Sequence, residues 1–274
     1  MNQMNVLRRF PGLIFVATPI GSPGKTTVSQ TIEYVLLERN LFVDLYSFGS
    51  SSRDNVSKLK RVLPRTVDIP FGASMREIAD NPELAVQHFD KTGALMSHGG
   101  ALFDFGANVA PAFFSWGPVS GLYGLYGRLP PITLVVPVTA SSVSIDGVFE
   151  IVRDARKALK NLPVQNVIIV HNERDGDFTG NIPGLEKLRN FEKGLETELK
   201  VTSIKMPMLP RINAVFWDKI QNEDLAFRDV IAKHPAELGK LFGISGLQCS
   251  RGVIALEKWL EDLVSAYSVA GLIG

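Results

Sequence analysis

Residues 13–27 read LIFVATPIGSPGKTT, and this stretch decides how the fold is interpreted. Its first part is uncharged and rich in branched side chains, which predicts a buried strand. A loop of glycine, serine and proline follows, and the residues after Lys25 have the apolar spacing of a helix, at Val28, Ile32, Val35 and Leu36. The stretch therefore predicts a strand, a glycine-containing loop and a helix N-terminus in direct succession.

An anion is the ligand that such a strand–loop–helix arrangement favours. The backbone N–H groups of the loop point inward, and the helix dipole attracts negative charge. Within this cradle, Lys25 is predicted to contact the terminal phosphates of a nucleotide, and the Thr26 hydroxyl is predicted to bind Mg2+. The strict phosphate-loop pattern has a glycine five residues before Gly24, where this chain has Pro19. A glycine-rich turn that carries a solvated lysine is the alternative interpretation.

The composition is typical of a globular protein with a large core. The chain has 274 residues, 45% hydrophobic and 21% charged, and we expect one domain over 1–274 with a helical extension over 212–274 packed on it. The net charge of +1 argues against a dominant nucleic-acid-binding surface, so DNA binding is expected to be weak or indirect. The single cysteine, Cys249, excludes an internal disulfide framework and fits the cytoplasm. We expect no signal peptide, because only a short apolar run follows Arg8 and Arg9 and it is better explained as the strand. We also expect no membrane span, because prolines and glycines interrupt the longest uncharged stretch, residues 105–127.

Strand-like and helix-like segments alternate along the rest of the chain. After the first strand, uncharged or apolar runs predict further strands at Leu41–Tyr46, Ala101–Asp104, Ile132–Val138, Val167–Val170 and Val201–Ile204. Capping signals predict that helices begin at Ser74 and at Asn81. The alternation predicts an α/β fold with a doubly wound, mostly parallel sheet, helices on both faces, and ligands at the carboxyl ends of the strands.

Polar residues near the predicted strand ends are the candidates for the chemistry. Asp44 and Asp104 are expected near the ends of the second and third strands, where a carboxylate can hold Mg2+ and its waters. Ordinary strand-end aspartates that face water are the alternative. Asn172 follows the fifth strand and Pro207 follows the last one, so these two residues are natural walls for a base and a ribose.

The loop resembles the deviant phosphate-binding loop of the ParA/MinD superfamily of P-loop NTPases. In that frame the nucleotide-binding positions are Gly21, Ser22, Pro23, Gly24, Lys25, Thr26 and Thr27. The resemblance further implies that Lys25, Asp44 and Asp104 are catalytic and that Thr26 and Asp104 bind Mg2+, the aspartate either directly or through water. It also implies that Asn172 recognises the base next to the turn at Pro207. The segment Asp104–Ala107, with the aromatic residues after it, looks like the switch of the TraL/StbC-type proteins of conjugative plasmids.

This resemblance implies a cytoplasmic, Mg-ATP-binding switch protein that forms a homodimer with ATP and hydrolyses it slowly. Such a protein would serve plasmid partition or conjugative transfer through a partner protein. Two departures bear on hydrolysis: Ile20 occupies the position of the signature lysine, and Tyr46 occupies that of an expected aspartate. Asp54 is a candidate to replace that aspartate. An ATP-dependent ligase of the same fold family and a nucleotide-binding module without hydrolysis are the alternatives.

Two apolar segments remain outside this site. An aromatic segment has two interpretations, a loop that covers the core or a surface for a partner or a second copy; it contains Phe113, Phe114, Trp116, Tyr123 and Tyr126. A C-terminal helical stripe is flanked by acidic residues that anionic lipid would repel, so packing inside the protein is expected; it contains Val253, Leu256, Leu260 and Leu263.

Overall fold

A computed structural model describes residues 6–21, 24–49, 56–69, 83–107, 109–193, 200–206 and 214–273, without the side chains of residues 85, 86, 203 and 205. The predicted helix starts at Ser74 and Asn81, and the predicted site residues Ser22, Pro23 and Pro207, lie outside the described residues. Asp54, the candidate helper carboxylate, also lies outside them.

Strands of two sheets form the centre of the fold. In chain order the strands are β1 (Arg8–Arg9), β2 (Leu13–Val16), β3 (Leu41–Phe42), β4 (Asp44–Phe48), β5 (Val67–Ile69), β6 (Ala101–Phe105), β7 (Ile132–Val138), β8 (Val164–Asn172) and β9 (Lys200–Met206). The main sheet has the order β5–β4–β6–β2–β7–β8–β9, and every neighbouring pair in it is parallel. Strands β1 and β3 form a separate parallel pair.

Helices connect these strands and continue after the last one. They are α1 (Lys25–Glu38), α2 (Lys58–Val62), α3 (Glu83–Ser97), α4 (Val109–Trp116), α5 (Leu122–Tyr126), α6 (Ser142–Lys157), α7 (Leu185–Glu192), α8 (Ala214–Asn222), α9 (Phe227–Ala232), α10 (Pro235–Phe242) and α11 (Gly246–Val269). Short 3-10 turns occur at Gly117–Val119 and Glu173–Asp175. No helix in the described part of the chain has both the length and the apolarity needed to span a membrane.

The central strand β2 shows that both faces of the sheet are covered. Successive side chains of a strand point to opposite faces. Leu13 and Phe15 belong to the core that α3, α4, α6 and α7 cover, whereas Ile14 and Val16 belong to the core that α1 and the C-terminal helices cover. All four side chains are fully buried. The predicted α/β fold with a doubly wound, mostly parallel sheet is therefore confirmed.

The C-terminal stripe and the aromatic segment, the two apolar segments outside the predicted site, differ in how far they are buried. The four residues of the C-terminal stripe are buried in the core beside α1, as their pattern predicted. In the aromatic segment Phe113, Phe114 and Trp116 are buried, whereas Tyr123 is 57% exposed and Tyr126 is 38% exposed. The first part of that segment thus covers the core, and the second part lies at the surface.

The predicted strand Leu41–Tyr46 is in fact two strands with different partners. The first part, β3, pairs with β1, and the Phe10 N–H donates to the Phe42 carbonyl over 2.9 Å. After Val43 the chain changes sheets, and the Asp44 N–H donates to the Gly100 carbonyl over 2.8 Å. Strand β4 therefore begins at Asp44 and continues to Phe48.

Candidate functional site

The central strand lies where the chain changes direction across the sheet. After β2 the chain places β4, β5 and β6 on one side of it, and β7, β8 and β9 on the other. In open parallel sheets, ligands bind in the crevice outside the carboxyl ends of the strands at such a point. The loop that leaves the carboxyl end of β2 is the predicted phosphate loop.

Gly24 closes this loop and immediately precedes α1. Its φ of 90° lies in the left-handed region, which disfavours residues with a Cβ atom. A Cβ atom there would also overlap with Nδ2 of Asn172. Asn172 is 4% exposed and lies at the end of β8, where its Oδ1 accepts a hydrogen bond from the Arg174 N–H over 3.2 Å. The fold thus places the predicted base-recognising residue directly against the predicted phosphate loop.

Lys25 begins α1 and is oriented by the loop itself. Its Nζ donates to the carbonyl oxygen of Ile20 over 3.1 Å. Burial lowers the pKa of Lys25, and the neighbouring carboxyl of Asp104 opposes that effect by favouring the charged amine. A partly buried ammonium group held at the mouth of an anion cradle is what a phosphate contact requires.

Asp104 is the buried carboxyl group of the site. It is 6% exposed and lies in register with Val16 of β2 and Ser47 of β4. Its Oδ1 has no hydrogen-bond partner among the described residues. Burial raises the pKa of Asp104 to about 7, although the positive charge of Lys25 opposes the shift. Because buried polar atoms normally have a partner, this oxygen points to a ligand.

A cavity of about 180 Å³ joins these groups. Its walls come from the start of α1, the end of β4, the start of α2 and the end of β6. The lining residues are Lys25, Thr26, Ser47, Phe48, Gly49, Ser57, Lys58, Leu59, Asp104, Phe105 and Gly106. The lining thus includes two lysines, three residues with a hydroxyl group and one aspartate.

The oxygen atoms in this cavity fit Mg2+. That ion is bound in proteins by one or two carboxylates or hydroxyls, together with waters and substrate phosphates. The Thr26 hydroxyl and the Asp104 carboxyl line the same cavity, and the unpartnered Oδ1 atom of Asp104 supplies a free ligand position.

Asp44 does not join the site, and the prediction that its strand ends near it is wrong. Asp44 begins β4 and lies in register with Ala101, the first residue of β6. The rise of a strand puts it about 10 Å along β4 from the register position of Asp104. Asp44 thus lies at the amino edge of the sheet, where Nη2 of Arg9 donates a hydrogen bond to Oδ2 of Asp44 over 2.6 Å. The reason is that the chain leaves its pairing with β1 after Phe42 and starts to pair with β6 at Asp44, so Asp44 begins a strand instead of ending one.

Gly21 and Thr27 are the other predicted loop residues that the structure describes, and neither lines the cavity. Gly21 is exposed, and a Cβ atom there would meet nothing within 4 Å. Thr27 is the third residue of α1 and is partly buried. The described structure therefore brings Gly24, Lys25 and Asp104 together with the two flanking predicted residues, Thr26 and Asn172.

Three polar residues of the cavity were missed by reasoning from the sequence: Ser47, Ser57 and Lys58. Ser47 is 9% exposed and pairs in register with Asp104. The carboxyl end of β4 would have identified it if that strand had been extended past Tyr46. Ser57 caps α2 and Lys58 is its first residue, but this helix has only five residues, which are too few to show a helical period in the sequence.

Comparisons with known proteins give a likeness of overall structure only. No protein-family model matches the chain, and no curated protein sequence matches it. Among solved structures, apo McdA from Cyanothece is similar with a TM-score of 0.45 and 11% identity, covering 89% of this chain and 98% of that one. The ATP complex of a McdA variant from Cyanothece is similar with a TM-score of 0.44 and 12% identity, covering 87% of this chain and 98% of that one. At scores and identities this low, neither likeness carries an assignment of function.

Proposed function

We propose that this chain is a Mg-ATP-binding switch protein whose nucleotide lies at the carboxyl edge of the sheet, between β2, β6 and β8. The observation that carries the proposal is the convergence of Lys25, Thr26 and the buried Asp104 on one cavity at the start of α1. A lysine, a hydroxyl and a carboxyl at a helix N-terminus are the groups that a nucleotide and its metal ion need.

Each residue of the site has a distinct task in this proposal. Lys25 exchanges its contact with the Ile20 carbonyl for the terminal phosphates, which are the stronger acceptors. The Thr26 hydroxyl and the Asp104 carboxyl would hold Mg2+, which neutralises charge on the phosphates. Because burial raises the pKa of Asp104 to about 7, the carboxyl group could release its proton near neutral pH, as a ligand of Mg2+ would have to. Asn172, packed on Gly24, is placed to contact the base.

Hydrolysis is proposed to be slow because two expected groups are absent. Ile20 cannot donate a hydrogen bond from its side chain to a phosphate. Tyr46 stacks on Phe103 with ring centroids 5.2 Å apart, and burial raises its pKa further, so it is a poor base. A nucleotide-binding module without hydrolysis is the second candidate, and the same position of Tyr46 favours it.

The biological role rests on the resemblance of the loop to the ParA/MinD superfamily. We propose a cytoplasmic protein that forms a homodimer with ATP and acts in plasmid partition or conjugative transfer through a partner protein, in the manner of the TraL/StbC-type proteins. DNA binding would be weak or indirect, since the net charge is +1. A ligase would need a second substrate site, and a further cavity, of about 280 Å³ between α6 and α7, shares no lining residue with the first.

Isothermal titration calorimetry with ATP and Mg2+ tests the proposal. Wild type is expected to bind ATP, and Lys25→Ala is expected to lose about a hundredfold or more in affinity. The fold should stay intact, because Lys25 lies at the partly exposed start of α1 and its side chain donates to a loop carbonyl. Lys240→Ala removes the same charge from an exposed position on α10 and is the matched control. Equal ATP affinity in wild type and Lys25→Ala would refute the assignment of the loop.

A further inference from the structure

A second lysine, which the phosphate-loop pattern does not include, lines the site cavity. Lys58, the first residue of α2, lines the cavity together with Lys25, Thr26 and Asp104. It is carried by α2, which follows β4 in the chain, whereas Lys25 is carried by α1. Of the described residues that line the cavity, Lys25 and Lys58 are its two cations.

The backbone that carries Lys58 is held firmly. The Ser57 hydroxyl accepts a hydrogen bond from the Lys60 N–H over 3.0 Å, and the Ser57 N–H donates to Oδ2 of Asp68 over 3.1 Å. Leu59 and Val62 are buried in the core beside α1. The first turn of α2 is thus fixed at the edge of the cavity.

The side chain of Lys58, in contrast, is loosely held. Its Nζ donates to Oε1 of Gln221 on α8 over 3.5 Å, the outer limit of a hydrogen bond. It forms no ion pair with any of the described residues. A neutral amide at this distance competes poorly with an anionic phosphate, because hydrogen bonds between charged groups are shorter and stronger.

We propose that Lys58 donates to the terminal phosphate of a bound nucleoside triphosphate, from the same chain that holds the rest of the nucleotide. This inference rests on the proposed function. Lys25 reaches the β- and γ-phosphates in a phosphate loop, and the cavity extends from Lys25 to α2, so the phosphate that faces Lys58 is the outermost one. Lys58 supplies there a charge-assisted contact that Ile20 cannot make. The chain accordingly distinguishes ATP from ADP through α2.

The test compares the affinities for a non-hydrolysable ATP analogue and for ADP, both with Mg2+, in the full-length chain. In Lys58→Ala the affinity for the analogue is expected to fall about tenfold, while the affinity for ADP stays within about twofold of wild type. Lys58→Arg keeps the charge and is expected to retain most of the preference for the triphosphate. Lys60→Ala removes a charge from the same helix outside the cavity and is expected to change neither affinity.

The outcomes separate this inference from the proposed function. An unchanged ratio of the two affinities in Lys58→Ala, or an equal loss in Lys58→Ala and Lys60→Ala, would overturn the role of Lys58 alone. Wild type that binds neither nucleotide would overturn the proposed function, and the role of Lys58 with it. Retained ADP binding in Lys58→Ala shows that the variant is folded.

Discussion

Two carboxylates on neighbouring strands, Asp44 and Asp104, illustrate how the two edges of this sheet differ. At the amino edge, Asp44 has a side chain that is 44% exposed and forms an ion pair with Arg9 over 2.6 Å. At the carboxyl edge, Asp104 is 6% exposed, its Oδ1 atom lacks a partner among the described residues, and burial raises its pKa to about 7. A satisfied, exposed carboxylate needs only a structural explanation, whereas a buried and unsatisfied one beside a lysine in a cavity is a candidate for ligand binding.

Substitutions at the two edges are expected to differ most in their effect on Mg-dependent nucleotide binding. Asp104→Asn keeps the size of the side chain but removes the charge that would hold Mg2+, so the affinity for ATP with Mg2+ should fall about tenfold to a hundredfold. Asp44→Asn should leave that affinity within about twofold, because it changes only a half-exposed ion pair. Calorimetric titration of both variants measures the difference. A loss of affinity in Asp44→Asn as large as that in Asp104→Asn would remove the distinction between the edges.

A substitution in the loop tests whether the carboxyl edge depends on its backbone geometry. Gly24→Ala forces a Cβ atom into the left-handed region and against the Asn172 amide, so we expect at least a tenfold loss of ATP affinity. Gly21→Ala is the matched control, since a Cβ atom at that position meets nothing within 4 Å. Fluorescence titration with an ATP analogue compares them. Equal affinities in the two variants would show that the conformation of Gly24 is irrelevant to binding.

The pH dependence of stability gives a third comparison. The pKa of Asp104 is raised in the folded state from 3.8 to about 7, so the folded state holds its proton more tightly than the unfolded state. The stability that this proton contributes is present below pH 4 and is lost as the pH rises through 7, by up to about 1.4 kcal/mol per pH unit within that window.

Asp104→Asn has no such proton to lose. Its free energy of unfolding relative to wild type should therefore rise between pH 4 and pH 7, as measured by urea denaturation in the absence of nucleotide. Asp44→Asn serves as the control from the other edge and should change stability by no more than about 1 kcal/mol. A stability difference between Asp104→Asn and wild type that stays constant over this range would contradict the burial of an ionisable carboxyl.

The smallest effect on binding is expected at Ile20, whose carbonyl, not its side chain, contacts Lys25. Ile20→Lys should leave ATP affinity nearly unchanged but strengthen ATP-dependent dimerisation, because it restores a cation that can reach a partner's phosphate. Wild-type hydrolysis should be about one turnover per minute or slower, well below typical enzymes. Light scattering with ATP and Mg2+ measures the dimer. If Ile20→Lys dimerises no better than wild type, a shared nucleotide interface does not apply, and the module without hydrolysis is favoured.

The parts of the fold that depend on local signals could be predicted from the sequence. The strand, loop and helix over residues 13–38 follow from a buried apolar run, a glycine and the period of α1, and the structure has them in that order. Strand β6 could also be predicted, because it is short and entirely apolar apart from the aspartate; the prediction ended it at Asp104, and the structure extends it by one residue to Phe105.

The parts that depend on distant pairing could not be predicted. Leu41–Tyr46 is one continuous run in the sequence, but its first two residues pair with Arg8 and Arg9, and its last part pairs with β6. Because of this change of partner, Asp44 lies at the amino edge of the sheet and not at the carboxyl edge, where the site is. Lys58 was missed for a related reason, since only the packing of Leu59 and Val62 in the core brings the short helix α2 to the cavity.

A crystal structure of the chain with a non-hydrolysable ATP analogue and Mg2+ tests the central proposal most directly. The predicted result is a triphosphate along the loop before α1, with Lys25 on its terminal phosphates, Mg2+ near Thr26 and Asp104, and the base beside Asn172. Nucleotide bound elsewhere, for example in the cavity between α6 and α7, or a triphosphate without contact to Lys25, would contradict it.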